Sequence, residues 1–390
     1  MNEKYKDLIS LVPLSNEWTI DWDRIMKSNL AQWLRRMSET PQNPQWHGEG
    51  DVLTHTRMVC ERLIELSAWQ ELERHEQEEL FIAALLHDIG KPSCTREENG
   101  QLVAFNHASV GERIARTLLW WDFDLSGTPD EQQFREIICV LIRHHMQPLN
   151  FCDEKSPERK AIQLAAYGEL AGHFSNALLS ILAQADIMGR IAGDIPEKLS
   201  HLEFFREVAE NAGCLDKPLL FPSAFSRYAY LSGRNILPGQ DLYDDTWGTV
   251  ILLSGLPGTG KDTYIDKYYP DLPVVSLDVL RKEMNISPTG QQGKIVSAAQ
   301  EQAKAYLRNK QPFIWNATNV TAGTRQKQIR MLSDYNASVR VIYFETAWGE
   351  MLCRNQSRCD VVPESAIRNM LEKLVLPALH EAHEVEWIIT

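Results

Sequence analysis

The sequence predicts a multidomain protein in which an all-α domain precedes an α/β domain with a parallel sheet. From about residue 20 to 210, apolar residues recur at helical spacing, as in "DVLTHTRMVCERLIELSAW", and no convincing strand appears. From residue 249, short apolar runs such as "TVILLSG" alternate with helical stretches. Strands that alternate with helices form parallel sheets covered on both faces. We assign residues 1–212 to the helical domain, 213–247 to a linker and 248–390 to the α/β domain.

Composition narrows the classes of protein that fit. The 390 residues are 44% apolar and 24% charged, as in globular proteins, and no apolar run reaches the ~18 residues of a membrane span. The N-terminus "MNEKYKDLIS" lacks the order of a signal peptide, and seven cysteines without C-x-x-C argue against a disulfide framework. We therefore expect a cytoplasmic protein without a membrane partner. The net charge of −13 argues against coating long nucleic acid, but not against gripping one strand end.

The helical domain concentrates histidine and aspartate on or beside its helices. "EQEELFIAALLHDIG" predicts a helix that ends at Gly90, and "EQQFREIICVLIRHH" and "NALLSILAQADIMGR" predict two more. One buried histidine is usually a satisfied core residue, but five beside two aspartates are hard to explain that way. Imidazole and carboxylate groups suit a hydrolytic divalent metal. The candidate ligands are His55, His87, Asp88, His107, His144, His145 and Asp186.

The α/β domain opens with a candidate phosphate-binding loop. The pattern G-x-x-x-x-G-K runs from Gly255 through Gly258 and Gly260 to Lys261, between a strand and a helix. That setting points backbone N–H groups and the positive helix end at phosphate oxygens. The alternative is a glycine-rich turn without a ligand, which the flanking strand and helix disfavour. Asp262, followed by Thr263, stands where a Mg²⁺-binding serine or threonine is expected.

Two further pairs belong with this loop. Asp278 and Arg281 lie three residues apart after the second predicted strand, where a carboxylate can accept a proton and an arginine can hold an anion. Alone, such a pair would more often be a helix cap and a solvated arginine. Arg354 and Arg358 lie four apart on one helical face and can close over a nucleotide. Their alternative interpretation is two arginines on an exposed helix.

The second domain resembles the 5′-OH polynucleotide kinases of the P-loop phosphotransferase superfamily over roughly residues 249–375. The resemblance implies ATP as phosphate donor, Mg²⁺ as cofactor and Asp278 as general base for a 5′-hydroxyl. Arg281, with Asn319 of "NATN", would contact the acceptor, and Arg354 and Arg358 would belong to the lid. The matching stretches are Gly255–Asp262, Asp278-x-x-Arg281, "NATN" (316–319) and "RNQSR" (354–358).

This sequence departs from that family's pattern at two positions. Asp262 replaces the metal-binding hydroxyl, and Asn316 stands where related kinases often carry aspartate. We interpret the two changes as linked, because a carboxylate lost from one strand end is matched by one gained beside Lys261. The metal would then still meet one anionic oxygen.

The helical domain resembles the HD superfamily of metal-dependent phosphohydrolases over about residues 50–195, on the order H…HD…D. The resemblance implies one metal site from His55, His87, Asp88 and Asp186. His107 with either His144 or His145 would hold a second metal, and Lys91 and Arg190 would contact substrate phosphate. One or two divalent ions, transition metals or Mg²⁺, are therefore expected.

The order of the two domains resembles the bacterial HD-Pnk end-healing enzymes over nearly the whole chain. That resemblance implies removal of 2′,3′-cyclic and 2′(3′)-phosphates, phosphorylation of 5′-OH ends of RNA or DNA, and a separate ligase as partner. One alternative is nucleotide metabolism, with an HD nucleotidase and a small-molecule kinase. Another is an ATP-gated HD hydrolase without phosphoryl transfer, which the D-x-x-R pair disfavours because a switch needs no acceptor base.

Overall fold

A computed structural model of the chain describes residues 2–14, 17–287, 290–358 and 360–390. The chain forms two compact units, residues 1–219 and 220–390. The first unit is mainly helical and the second contains a parallel sheet, which confirms the predicted fold class. Within the described ranges, no helix has both the length and the apolar character needed to cross a bilayer.

The first unit is built of helices and a short hairpin. Its helices are α1 (Glu3–Ile9), α2 (Trp22–Ile25), α3 (Ala31–Ser38), α4 (Val52–Glu65), α5 (Ser67–Gln70), α6 (Arg74–Leu86), α7 (Lys91–Cys94), α8 (His107–Trp121), α9 (Pro129–His144), α10 (Met146–Leu149), α11 (Pro157–Ala165), α12 (Asn176–Met188) and α13 (Ile195–Asn211). Its strands are β1 (Arg96–Glu98) and β2 (Gln101–Val103), and 3₁₀ turns span Phe151–Asp153 and Ala166–Glu169.

Helix α6 forms the centre of the first unit. Every side chain from Leu80 to Leu86 is fully buried, so this part of the helix has no solvent-facing side. Helices α4, α9 and α12 pack against it, and each buried leucine contributes roughly 1.5–3 kcal/mol relative to an exposed one. The helix ends at Leu86 rather than at the predicted Gly90, and a turn follows. That turn places His87 and Asp88 in the interior.

Two glycines let the helices around this turn approach closely. A Cβ atom on Gly90 would lie 2.1 Å from the carbonyl oxygen of His107, so only glycine lets the turn touch the start of α8. A Cβ atom on Gly189 would lie 2.8 Å from the Cα atom of Val59, so glycine also lets the end of α12 reach α4. These approaches bring His107 and Asp186 towards the turn after α6.

The hairpin corrects the expectation that this region contains no strand. Strands β1 and β2 pair antiparallel across a two-residue loop, in which Asn99 and Gly100 have φ angles of 53° and 77°. Asn-Gly is the preferred dipeptide for such left-handed hairpin turns. The flanking segment "REE" is exposed and polar, so apolar alternation gave no sign of a strand.

A partly buried contact between His173 and Glu79 ties the segment before α12 to α6, and it predicts a pH dependence of stability. The Nε2 atom of His173 lies 2.7 Å from a carboxylate oxygen of Glu79. Burial raises the pKa of Glu79 to about 7, although His173 opposes the shift. Burial disfavours the charged form of His173, but the hydrogen bond to Glu79 raises its pKa. Both groups therefore bind protons more tightly in the folded state, and stability contributed by protonation is lost as pH rises.

Between about pH 4.5 and 7, loss of the proton from Glu79 should lower the free energy of unfolding of wild type by up to about 3 kcal/mol. We expect Glu79→Gln to remove most of this fall. Chemical denaturation of wild type and variant at several pH values measures this slope. Glu61→Gln, at an exposed position of α4, is the control. Parallel slopes for wild type and Glu79→Gln would contradict the prediction.

The second unit alternates helices and strands. Its helices are α14 (Ala224–Leu231), α15 (Lys261–Tyr268), α16 (Leu277–Glu283), α17 (Gln292–Arg308), α18 (Ala322–Asp334), α19 (Trp348–Gln356) and α20 (Glu364–Leu371). Its strands are β3 (Thr249–Gly255), β4 (Val274–Ser276), β5 (Ile314–Asn316), β6 (Ser338–Glu345) and β7 (Glu384–Ile389).

The five strands form one parallel sheet in the order β4-β5-β3-β6-β7. Val250 and Leu252 of β3 belong to one apolar core, and Ile251 and Leu253 belong to another, so both faces of the sheet are covered. The sequence predicted four of these strands and missed β7, whose alternating charged and apolar residues leave it only partly buried. Since the strands are parallel, their carboxyl ends meet at one edge.

The predicted linker contains helix α14. Ser223 caps this helix, and the ring of Phe225 stacks on His383 with the centroids 5.8 Å apart. Arg227 donates a hydrogen bond to the carbonyl of His383, and the guanidinium of Arg234 lies 5.4 Å from the ring of Phe225. These contacts pack residues 223–234 within the second unit, to which they belong.

Candidate functional sites

Four histidines of the first unit each contact a backbone carbonyl through the ring nitrogen Nδ1. The Nδ1 atoms of His87, His107 and His145 lie 2.8, 2.8 and 2.7 Å from the carbonyl oxygen three residues earlier in the chain. These contacts fit rings that donate through Nδ1 and leave Nε2 as an acceptor, as in histidines that bind metals. The Nδ1 atom of His55 lies 3.2 Å from the carbonyl of Gly189, which fits the same arrangement.

The Nε2 atoms lie in two pairs. The distance is 3.2 Å between His55 and His87 and 3.3 Å between His107 and His145. Two nitrogens that each bind a metal at about 2.1 Å are separated by roughly this distance. The spacing therefore fits two cation positions, each served by two imidazoles.

Asp88 lies between the two pairs. Its Oδ2 is 3.3 Å from Nε2 of His87, and its Oδ1 is 3.4 Å from Nε2 of His107. Both oxygens are buried, and neither accepts a regular hydrogen bond from the described residues, although Nζ of Lys91 is 2.7 Å from Oδ2. A buried carboxylate without hydrogen bonds is costly unless cations neutralise it. The donor set fits two divalent ions with Asp88 between them.

Asp186 and Glu49 hold His55 from opposite sides. Asp186 lies 3.2 Å from Nε2 of His55, and Glu49 lies 3.1 Å from Nδ1. Burial opposes a charge on His55, but these carboxylates raise the pKa of the ring to about 9. Glu49 also lies 2.8 Å from Nδ1 of His47. Sequence reasoning missed Glu49, and its only local signal is the pair of glycines that flank it in "HGEGD".

His144 lies outside this group. Its ring packs on the ring of Tyr167, with the centroids 5.0 Å apart. The structure thus brings together His55, His87, Asp88, His107, His145 and Asp186, and of the two adjacent histidines it places His145 in the cluster. Metal ions held by these residues would supply charge neutralisation and a water acidic enough to lose a proton near neutral pH.

A cavity of about 470 Å³ opens onto the cluster and holds two cationic side chains next to it. Lys91 is buried, and its ammonium donates to Gln42 at 2.6 Å and lies against Asp88. Arg190 is only 9% exposed, and its Nε and Nη2 atoms have no hydrogen-bond partner among the described residues. Buried N–H groups without hydrogen bonds are costly, and an anion such as phosphate would satisfy these two. The cavity therefore suits a phosphate ester.

The glycine loop of the second unit has the backbone of a phosphate cradle. Gly255, Gly258 and Gly260 have φ angles of 145°, 85° and 88°, in a region that side chains disfavour. The ammonium of Lys261 donates to the carbonyls of Gly255 and Leu256 at 2.9 and 2.8 Å. Burial lowers the pKa of Lys261 to about 8, with Asp262 acting in the opposite direction. The lysine thus lies within the loop that phosphates would enter.

The two departures from the kinase pattern are in contact. The side-chain amide of Asn316 donates a hydrogen bond of 2.7 Å to the carboxylate of Asp262. Asn316 ends strand β5, and Asp262 is the second residue of α15, so the bond joins two elements at the carboxyl edge of the sheet. The carboxylate keeps free lone pairs for a cation, which fits the expected Mg²⁺.

We expect Asp262→Ala to raise the Mg²⁺ concentration needed for ATP binding by at least about tenfold, because outer-shell changes alone commonly cost 10–100-fold in metal affinity. Asn316→Ala should cause a smaller rise and Thr263→Ala little change. Titration of ATP affinity against Mg²⁺ in the three variants measures the effect. A larger rise for Thr263→Ala would identify the hydroxyl as the ligand.

Asp278 lies on the second residue of α16 and is exposed. The helix is capped by Ser276, whose hydroxyl accepts a hydrogen bond from the amide of Val279, so Asp278 does not serve as the cap. Its carboxylate pairs with Arg281, and Nη2 of Arg358 lies 3.8 Å away. The exposed carboxylate therefore lies between two arginine side chains.

The two remaining candidate residues of the kinase site, Arg354 and Asn319, have different contacts. Arg354 pairs with Glu350 at 2.7 Å, and its Nη1 lies 3.6 Å from the point that a Cβ atom on Gly260 would occupy. Asn319 is only 3% exposed and donates to the carbonyl of Leu253 at 2.7 Å. Its side chain therefore fastens the segment after β5 to the central strand, which is a positioning contact.

Comparison with known proteins gives one family match in each of the two units. The model of the HD domain family matches residues 52–167, and that of an AAA domain family matches residues 250–377. The multifunctional CCA protein of Hahella chejuensis is 35% identical over 112 residues, 29% of this chain and 23% of that protein. The L-seryl-tRNA(Sec) kinase of Methanococcus maripaludis is 23% identical over 143 residues, 35% of this chain and 56% of that protein.

A third relative is the CC-adding tRNA nucleotidyltransferase of Thermus thermophilus, 36% identical over 87 residues, 22% of this chain and 17% of that protein. The chain spans less than two thirds of the length of each of these relatives. Each match is therefore local. The chain carries an HD domain followed by a P-loop, kinase-like domain.

Proposed function

We propose that the chain is a bifunctional nucleic-acid end-healing enzyme. The kinase-like domain phosphorylates 5′-OH ends with ATP, and the HD domain removes 2′,3′-cyclic and 2′(3′)-phosphates. The observation that carries the proposal is the presence in one chain of two phosphate sites with opposite chemistry. One has Asp88 between two pairs of histidines in a cavity that Arg190 also lines, and the other has a glycine loop and the exposed Asp278.

In the HD cavity, the cationic side chains next to the histidine cluster bind and orient the phosphate. Arg190 donates its free N–H groups to phosphate oxygens, and Lys91 adds a second positive charge. Water then attacks phosphorus, the bond to the ribose oxygen breaks, and that oxygen takes up a proton. The buried histidines keep their orientation during this reaction because backbone carbonyls hold the opposite ring nitrogens.

In the kinase-like domain, Asp278 accepts the proton of the 5′-hydroxyl as its oxygen attacks the γ-phosphorus of ATP. The bond to the β-phosphate oxygen breaks, and ADP leaves. Lys261 and the loop amides hold the phosphates, and Arg354 and Arg358 steady negative charge on the transferred group. Arg281, beside Asp278, is available for an anionic group of the acceptor strand.

A broken strand gives both reactions a use. Adding and removing phosphate on one small metabolite would cycle without product, whereas the two ends of a break need opposite changes. Two of the three relatives carry tRNA in their names, which supports RNA among the substrates. The resulting 3′-OH and 5′-phosphate ends are the substrates of a nucleic-acid ligase, which we propose as a separate partner.

Matched oligonucleotides test this proposal. Transfer of labelled γ-phosphate is measured to 5′-OH RNA, 5′-OH DNA, nucleosides and mononucleotides, and hydrolysis is measured on 3′-phosphate, 2′-phosphate and 2′,3′-cyclic ends across a panel of divalent ions. We expect transfer to oligonucleotides and hydrolysis at their 3′ ends. Transfer confined to nucleosides would support nucleotide metabolism instead. ATP that changes hydrolysis without any transfer would support the gated hydrolase.

A further inference from the structure

Two aromatic residues that line the HD cavity have no role in the proposed metal and phosphate chemistry. They are Trp46 and Phe105, whose side chains are 43% and 58% exposed. Exposed aromatic rings that line the same cavity as cationic side chains can stack on a planar part of an anionic ligand.

Each aromatic residue is close in sequence to a different pair of the histidines around Asp88. Trp46 immediately precedes His47, which contacts Glu49, which in turn holds His55. Phe105 lies two residues before His107, in the segment between the hairpin and α8. The two rings therefore come from separate chain segments, one leading to His55 near Oδ2 of Asp88 and the other to His107 near Oδ1.

Both segments have a defined backbone. The amides of Trp46 and His47 donate to the carbonyl of Asn43 at 3.1 and 2.9 Å, so the Trp46 loop is a closed turn. Phe105 follows strand β2, and the guanidinium of Arg96 lies 5.5 Å from its ring. The exposure of the two rings is therefore a property of ordered segments.

The rest of the cavity limits the ligand to one with a planar part and a phosphate. Lys91 and Arg190 provide positive charge next to the cluster, and Lys198 adds another cation to the lining. Gln101, whose side chain ends in an amide, also lines the cavity and can hydrogen-bond a polar ring edge. Its volume of about 470 Å³ is within the usual range for small-ligand sites.

We infer that Trp46 and Phe105 bind the base of the nucleotide whose phosphate the HD domain removes. Aromatic stacking tolerates every base because each has a π-face, and it contributes roughly 1–3 kcal/mol per base. The enzyme would thus recognise a 3′-end by its last base as well as by its phosphate. This inference rests on the proposed hydrolysis of 3′-phosphates.

The test compares two RNA oligonucleotides with a 3′-phosphate, one with a normal last nucleotide and one whose last sugar lacks a base. In wild type we expect kcat/KM to be higher for the strand that retains its base. Trp46→Ala and Phe105→Ala should each lower the ratio of the two kcat/KM values by roughly 5- to 150-fold. Trp46→Phe and Phe105→Tyr should largely restore it, and Tyr243→Ala, at an exposed aromatic of the second unit, should not change it.

Fluorescence anisotropy of the two labelled strands adds a readout that needs no turnover, and thermal unfolding verifies the fold of each variant. Ratios equal to wild type in both alanine variants, or an equal loss on both strands, would overturn the stacking role. Absence of hydrolysis on every 3′-end in wild type would instead overturn the proposed function. In that case the anisotropy ratio still decides whether these rings bind a base.

Discussion

Asp88→Asn is expected to abolish phosphate hydrolysis while leaving phosphoryl transfer from ATP unchanged. The two oxygens of Asp88 face different histidine pairs, and asparagine supplies only one oxygen and no charge. In Asp88→Asn, both expected cation positions would lose the carboxylate as a ligand. The asparagine amide would also direct its N–H hydrogens at Nε2 of a neighbouring histidine, either His87 or His107. We expect kcat for hydrolysis to fall by roughly 10³-fold or more, the range seen when a group essential at the reacting centre is removed.

Elemental analysis of the purified variant, together with both activity assays, tests this expectation. Bound metal per chain should fall along with hydrolysis, whereas the kinase reaction serves as the internal control for folding. Asp153→Asn, at an exposed position of the same unit, should keep both metal and activity. Full hydrolysis by Asp88→Asn would show that the cluster is not the hydrolytic centre.

Asp278→Asn is expected to have the opposite selectivity. Asparagine has nearly the same shape but cannot take a proton from the attacking hydroxyl. Loss of a general base typically costs 10²–10⁴-fold, so phosphoryl transfer should fall by about that factor while ATP binding and phosphate hydrolysis persist.

Glu283→Gln is the matched control for this prediction, because it changes an exposed carboxylate on the same helix. Labelled phosphate transfer measures the reaction, and equilibrium binding measures ATP affinity. If Asp278→Asn retained wild-type kcat, the carboxylate would serve only to pair with Arg281. Loss of both activities in one variant would indicate a folding defect.

The candidate residues of both sites could be found from local patterns, because each site groups residue types that rarely occur together by chance. His87 and Asp88 are adjacent in the chain, and the glycine loop is one continuous segment. The choice between His144 and His145 could not be predicted, since neighbouring residues on a helix point in different directions and tertiary packing decides which one faces the core.

Other features depended on contacts between segments distant in sequence. Glu49 becomes important only when α12 ends beside its loop, where the amide of Ile191 donates to its carboxylate at 2.9 Å. Phe105 appeared in the sequence as one aromatic among many, and only its exposure beside the cavity distinguishes it. The link between Asn316 and Asp262 was inferred from their positions in the kinase pattern, and only the folded sheet shows that the two side chains are in contact.

The carbonyl contacts of His87, His107 and His145 have a consequence for how the HD centre is assembled. Each imidazole is oriented by the backbone one helical turn behind it, so its rotamer is chosen when the polypeptide folds. Binding of a metal by these residues would therefore not have to order mobile side chains, whose ordering costs on the order of 1 kcal/mol each. A preordered set of ligands would also favour ions whose ligand distances match its spacing, so the cluster should discriminate among divalent metals by size as well as by ligand type.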